Sequence, residues 1–267
     1  MRQASKNSKY TNDNESKNTN IFYLRLMLYI VLLTSIPFMF YNPDLSFGFL
    51  DIFRQDFFKT EIVLSGYKNN TEGLIKAIQD NNAKIVKLFV RSGFNLNSLT
   101  FSGISPLCSA AENGNQEIVD ILMRGNINLL IKNPSNGLTP LYCAIKGNNI
   151  NIIDKFAENG VSLTTRNQWA DGISPLHYAA ALGRDTIVSY LISKGADVNL
   201  ADSSGQTPLH MAVLQDNITV LYILINAGAY VDIVDKSGLT PLDIVIQKEN
   251  KNYISLLERY TKIKEKP

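Results

Sequence analysis

Along much of the chain, apolar residues recur at helical spacing in short runs, and the runs themselves recur. Ile118, Val119, Ile121 and Leu122 form one stripe, Ile187, Val188, Tyr190 and Leu191 another, and Val220, Leu221, Ile223 and Leu224 a third. Residues three and four apart share one face of a helix, so each stripe predicts a short amphipathic helix with one buried side. Twelve residues ahead of the stripes stand prolines that each precede a leucine. Pro106, Pro140, Pro175, Pro208 and Pro241 are separated by 34, 35, 33 and 33 residues. Each follows Ser or Thr, whose hydroxyl can accept from an orphan backbone N–H, while proline suits a first helical position because it has no donor to waste. Gly103, Gly137, Gly172, Gly205 and Gly238 lie three residues before the prolines and allow a tight turn with positive φ. Twenty residues past the first four prolines, Asn126, Gly160, Gly195 and Gly228 predict the end of the second helix. One period upstream, Gly73 stands in place of proline, Ile85, Val86, Leu88 and Phe89 form the stripe, and Gly93 ends the helix. The unit is turn, short helix, short helix, loop.

The segments "ISPLHYAA", "GADVNLAD" and "QTPLHMAV", with echoes in "ISPLCSAA" and "LTPLYCAI", resemble the ankyrin repeat. The resemblance covers about residues 71–262 as six units, at 71–102, 103–136, 137–171, 172–204, 205–237 and 238–262. It implies an all-α solenoid of stacked antiparallel helix pairs with projecting hairpin fingers, whose usual activity is to bind other proteins. One unit cannot bury both helices' apolar sides, so neighbours must stack. There are departures from the pattern. Lys155 occupies a slot that is normally apolar and predicts a weak third unit. "NPSNG" and "NQWADG" lengthen two fingers, and the polar "IQKENKN" suits a terminal cap ahead of the charged tail at 263–267.

Upstream of the units the pattern changes. Residues 1–20 hold no aliphatic residue beyond Met1 and Ala4, which predicts a disordered polar tail. Residues 21–41 are apolar and interrupted only by Arg25, a length of roughly 30 Å as a helix, enough to cross a bilayer. Arg25 lies near the end of the segment, where its stem can snorkel. A cleaved signal peptide would carry a similar segment. The long leading region and the lack of an A-x-A-like site favour an uncleaved single-pass anchor. Arg2, Lys6, Lys9 and Lys17 precede it, against Arg54 and Lys59 in the next twenty residues, so the repeats are expected outside the cytoplasm. Residues 42–70 form a connector in which Phe49, Leu50, Phe53 and Phe57 predict a helix that lies on the membrane or covers the first unit.

Composition narrows the chemistry. A formal net charge of +2 with both signs scattered gives nucleic acid no electrostatic footprint. The two histidines, His177 and His210, follow "PL", where the resemblance implies hydrogen bonds to neighbouring backbone; Cys108, Tyr142 and Asp243 fill that slot elsewhere. No histidine is then left for a triad or a zinc site, so no catalytic residue, metal or cofactor is expected, nor a small-molecule substrate. Cys108 and Cys143 lie on first helices of adjacent units, and an interhelical spacing of ~8–10 Å predicts two separate thiols that pack as small hydrophobes, unless an oxidising lumen slowly joins them. Asn69 and Asn217 head Asn-x-Thr patterns, which matter only in a eukaryotic secretory pathway. The resemblance implies a binding face of finger residues Phe101, Trp169, Asp171, Ser204 and Lys236 with Ser109, Tyr178, Met211 and Ile244 from the first helices. Trp, Tyr and Met on one exposed face suit a protein-binding hot spot. The chain therefore reads as a membrane-anchored module for an unknown protein partner, without catalysis of its own. The alternative is a secreted, host-directed effector of an intracellular bacterium whose hydrophobic segment serves export.

Overall fold

The computed structural model describes residues 43–167, 171–249, 253, 254 and 257, with side chains at Asp51 and from Arg54 onward. The polar tail, the apolar segment 21–41 and the tail 263–267 lie outside the described residues. Among the described residues there are twelve named helices and no strand. None of those helices is long and apolar enough to cross a membrane. The chain divides into two compact units, one taking in the chain up to Leu74 with Lys84–Phe94, the other Ile75–Ala83 with the chain from Asn95 on.

In the first unit, α1 spans Pro43–Leu64. Its residue Ile62 is fully buried, and Gln55 stands where a Cβ on Gly93 would meet its amide at 3.1 Å. Helix α1 thus passes the end of α3 (Ala83–Arg91). Helix α3 buries Ile85, Val86, Leu88 and Phe89, the expected stripe, and Gly93 follows it with φ +70°. Helix α2 (Thr71–Gln79) starts two residues before Gly73. Gly73 therefore sits inside the first turn rather than at the place of the prolines. A Cβ there would lie 1.8 Å from the Lys68 carbonyl oxygen, which explains the glycine.

The second unit holds the regular repeats. First helices α4 (Pro106–Asn113), α6 (Pro140–Lys146), α8 (Pro175–Ala181), α10 (Pro208–Leu214) and α12 (Pro241–Gln247) each start at the proline. Second helices α5 (Gln116–Met123), α7 (Ile150–Glu158), α9 (Asp185–Ser193) and α11 (Ile218–Asn226) follow. First helices pack on first helices in chain order, α4 on α6 and onward to α12, and α4, α6, α8 and α10 each pack on the second helix of their own repeat. All five turn glycines have φ between 68° and 79°. Gly160, Gly195 and Gly228 are left-handed as expected, whereas Asn126 is not. Helix α5 stops at Met123, and its C-cap Arg124 already has its N–H bonded to the Asp120 and Leu122 carbonyls, so no left-handed stop is needed.

Two devices join successive repeats within the second unit. The residue after "PL" reaches forward: the Tyr142 hydroxyl donates to Ile173 O at 2.7 Å, His177 Nε2 to Gln206 O at 2.9 Å and His210 Nε2 to Leu239 O at 3.3 Å. A carbonyl can only accept, so Nε2 carries the proton and Nδ1 accepts. It takes the backbone N–H of Ser174 at 3.3 Å or of Thr207 at 3.1 Å. Both rings are neutral structural groups, with pKa pushed below the ordinary histidine value mainly by burial. Asp243 keeps only the local half of the device, accepting from Thr240 N at 2.8 Å.

The second device reaches backward, to the bare carbonyls at first-helix C-termini. Asn149 Nδ2 donates to Ala111 O at 2.8 Å and Glu112 O at 3.1 Å. Arg184 Nη2 donates to Lys146 O at 2.7 Å, and Asn217 Nδ2 to Ala180 O at 2.9 Å and Ala181 O at 3.1 Å. Lys248 Nζ ends the series on Leu214 O at 2.6 Å. The amide of Asn217, heading one Asn-x-Thr pattern, is thus already engaged. Lys155 departs from its expectation in the same way: it pairs with Asp120 of the preceding unit and so ties the third unit rather than weakening it.

Asn217→Ala should lower stability by about 1–3 kcal/mol in urea denaturation, because two carbonyls lose their donor. Gly183→Ala should also destabilise, since φ is +65° and a Cβ would lie 2.6 Å from Asn217 Oδ1. The depressed histidine pKa values fix a pH response. The unfolded rings take up protons below about pH 6.5 while the folded rings resist. Stability should therefore be flat above about pH 7 and fall as pH drops below 6.5, and a His177→Gln/His210→Gln variant should show a smaller fall in that window.

Candidate protein-binding surface

The fingers are tight turns whose backbone is held from within and from alongside. Asp202 Oδ1 accepts from the Ser204 and Gln206 amides at 2.8 and 2.9 Å. Asp235 Oδ1 accepts from Ser237 and Leu239 at 2.8 and 3.1 Å. Adjacent tips are bridged by backbone: Ser203 N donates to Asp171 O at 2.8 Å, and Lys236 N to Ser204 O at 2.9 Å. Nearer the base of the fingers, Asn97 takes the Asn128 amide at 2.7 Å and Asn199 the Tyr230 amide at 2.7 Å. The backbone of the tips is therefore satisfied by its own finger and by the one alongside.

Phe101, Asp171, Ser204 and Lys236 lie exposed at those tips, Phe101 completely so. Tyr178 and Met211 are half-buried on the first helices. Trp169 lies outside the described residues. Ser109 and Ile244 are buried, with 8% and 6% exposure, and so do not belong to the exposed face. The longer Tyr178 and Met211 in the same slot stay half-buried. Exposed Leu130, Tyr230 and Val234 add apolar surface that the motif positions did not single out. Isolated apolar side chains in loops carry no periodic signal, so only the folded chain reveals them.

Between the first helices and the fingers of the second and third repeats lies a cavity of about 280 Å³ lined by Cys108, Glu112, Cys143, Lys146 and Tyr178, with Ile104 and Asn133 on the finger side. Lys146 bonds Glu112 at 2.8 Å, and that bond holds its pKa above the ordinary lysine value. Burial pushes the Tyr178 phenol up, and its ring meets Tyr142 edge-on at 5.4 Å. Cys108 and Cys143 form a disulfide, with Cα atoms 5.3 Å apart, where two separate thiols were expected. The expectation measured between helix axes. Each Cα stands ~2.3 Å off its axis, so residues on facing sides come several ångström closer than the axes do. Among the described residues no group of three His, Cys, Asp or Glu side chains could hold a metal ion.

Another polar cluster lies on the second helices. Tyr190 donates to Asp154, Lys194 approaches that carboxylate at 3.5 Å and stands over the Tyr190 ring at 5.1 Å. The tyrosine bond holds the Asp154 carboxyl below the usual range. Like the Lys155–Asp120 pair, it links one repeat to a neighbour.

The comparisons with known proteins agree with this architecture. The family profile described as Ankyrin repeats (3 copies) matches overlapping stretches at residues 56–132, 74–167, 124–202, 156–235 and 176–266. Among curated relatives, Ankyrin repeat and SOCS box protein 11 of Mus musculus is 31% identical over 102 residues, 38% of this chain and 30% of the relative. Alpha-latrotoxin-Lg1a of Latrodectus geometricus is 26% identical over 157 residues, 58% of this chain and 11% of the toxin. E3 ubiquitin-protein ligase KEG of Arabidopsis thaliana is 30% identical over 105 residues, 37% of this chain and 6% of the ligase. The chain thus spans less than a third of the length of each, and what it shares with them is the repeat. Profile, period and helix geometry agree: the chain belongs to the ankyrin-repeat family.

Proposed function

We propose that this protein is a membrane-anchored binding module that grips a protein partner with its finger tips and first-helix face. The observation that carries the reading is the row of exposed tip side chains on a backbone already satisfied by its neighbours. A surface whose backbone needs nothing further, and whose side chains are free, costs little ordering entropy when it binds. Phe101, Asp171, Ser204 and Lys236 supply the tips, Tyr178 and Met211 the helix side, and Trp169 the aromatic anchor in the lengthened finger. Binding of this kind needs no catalytic group. Residues 21–41 provide the single membrane span, and the charge asymmetry around them directs the repeats out of the cytoplasm.

Two experiments test this reading. Capture of interacting proteins by the full chain, read by crosslinking and mass spectrometry, should be lost in a Phe101→Ala/Lys236→Ala variant and weakened at least tenfold by Trp169→Ala, with helical content unchanged. Undiminished capture by both variants sinks the proposed face. A reporter fused after Pro267 should be active only outside the cytoplasm, and activity inside reverses the proposed topology.

A further inference from the structure

We infer that the Cys108–Cys143 disulfide is formed in the working protein as a covalent tether between the second and third repeats, and that its formation requires an oxidising compartment. The argument starts from the slot after "PL". In three successive repeats that slot ties its unit to the next: Tyr142 to Ile173 O, His177 to Gln206 O and His210 to Leu239 O. In the second repeat the slot holds Cys108, whose side chain is too short to reach a carbonyl one unit away. Its link is instead the bond to Cys143, on the first helix of the following unit. Four consecutive junctions are thus tethered from one register position, three by hydrogen bonds and one by sulfur.

Geometry and composition agree. The Cα atoms are 5.3 Å apart, inside the range that a disulfide spans without moving the backbone. The sequence contains two cysteines, so neither has another partner within the chain. The bond also lines the 280 Å³ cavity beside Glu112, Lys146 and Tyr178, so it fixes the spacing of the groove where the two helices meet. In forming, the two thiols give up two protons and two electrons to a protein or low-molecular-weight disulfide. Exchange turns that oxidant into two thiols while the Sγ–Sγ bond closes. Reducing thiol pools run the same exchange backward, so the bond persists only where they are absent. The inference rests on the outward topology proposed above for its oxidant, and is read out separately from it.

The test uses the full chain in its own membrane. Cells are quenched in acid, free thiols are blocked with N-ethylmaleimide in denaturant, and the protein is then reduced and labelled with a maleimide–polyethylene glycol. Two mass tags per chain are expected after reduction, and none when the reduction step is omitted. No tag in either arm means that both thiols were free in the cell, and overturns the inference. If that happens while the Pro267 reporter is active outside, the topology stands and the tether alone fails; two tags with the reporter active inside overturn the compartment requirement. The mechanical role is tested by urea denaturation of the purified full chain. Closing a 35-residue loop should change the folding equilibrium constant by roughly 10²–10³-fold. Reductant should therefore lower the midpoint of the natural chain and leave a Cys108→Ser/Cys143→Ser variant unmoved. Equal midpoints for the oxidised and reduced natural chain would show that the bond tethers nothing.

Discussion

A helix of seven residues can satisfy very few of its own backbone groups. The first four N–H and the last four C=O groups of any α-helix lack intrahelical partners, so in α6, α8, α10 and α12 almost every peptide group looks elsewhere. Such helices are also too short to persist alone in water. The stack depends on this deficit being met by neighbours. Ser174, Thr207 and Thr240 with His177, His210 and Asp243 close the amino ends of α8, α10 and α12, and Asn149, Arg184, Asn217 and Lys248 close carboxyl ends from the following unit. Apolar burial brings the units together, but the polar pairing decides their register, because a unit shifted by one residue would bury unpaired carbonyls at a cost of about 1–3 kcal/mol each.

The same arrangement separates stability from recognition. Buried His177 and His210 are spent on the frame, as is the carboxylate of Asp202, whereas Phe101, Asp171, Ser204 and Lys236 stand on backbone that the frame already holds. Side chains at the tips can therefore change without altering the hydrogen bonds that position them. The groove between the second and third repeats is the exception. There the tether, the ion pair of Glu112 with Lys146 and the phenol of Tyr178 line one cavity, so packing and surface share residues.

Much of this was legible in the sequence, for reasons that differ by residue. Proline, glycine and the hydroxyl caps read clearly because each answers a backbone requirement that few other residues meet. His177 and His210 read as structural because the resemblance to ankyrin repeats implies a backbone-bonded histidine in the slot after "PL". Asn149 and Asn217 did not stand out, since an asparagine ahead of a helix looks like a cap for its own unit, as Asn115 is through its 3.0 Å bond from Ile118 N. Their amides act across the repeat boundary, which only the packed chain shows. Lys155 looked like a flaw because its partner Asp120 lies a full period away. The disulfide was missed because Cα positions within facing helices matter more than the spacing of their axes. Ser109 and Ile244 were misplaced because register gives the direction of a side chain but not how far its neighbours rise around it.

The backward-reaching donors also give the array a polarity in its response to damage. Each first helix is completed at its carboxyl end by the unit that follows, so shortening the chain harms more than the part removed. Loss of everything beyond Leu239 would take away Lys248 and strip the carbonyls of Val213 and Leu214, and would remove Thr240 and Asp243 with it. The lesion would spread toward the amino terminus by one repeat. Trimming from the opposite side takes away groups that receive these donors, leaving side-chain amides and cations that water can satisfy. It costs instead one forward bond of the kind that Tyr142, His177 and His210 make to Ile173, Gln206 and Leu239 O.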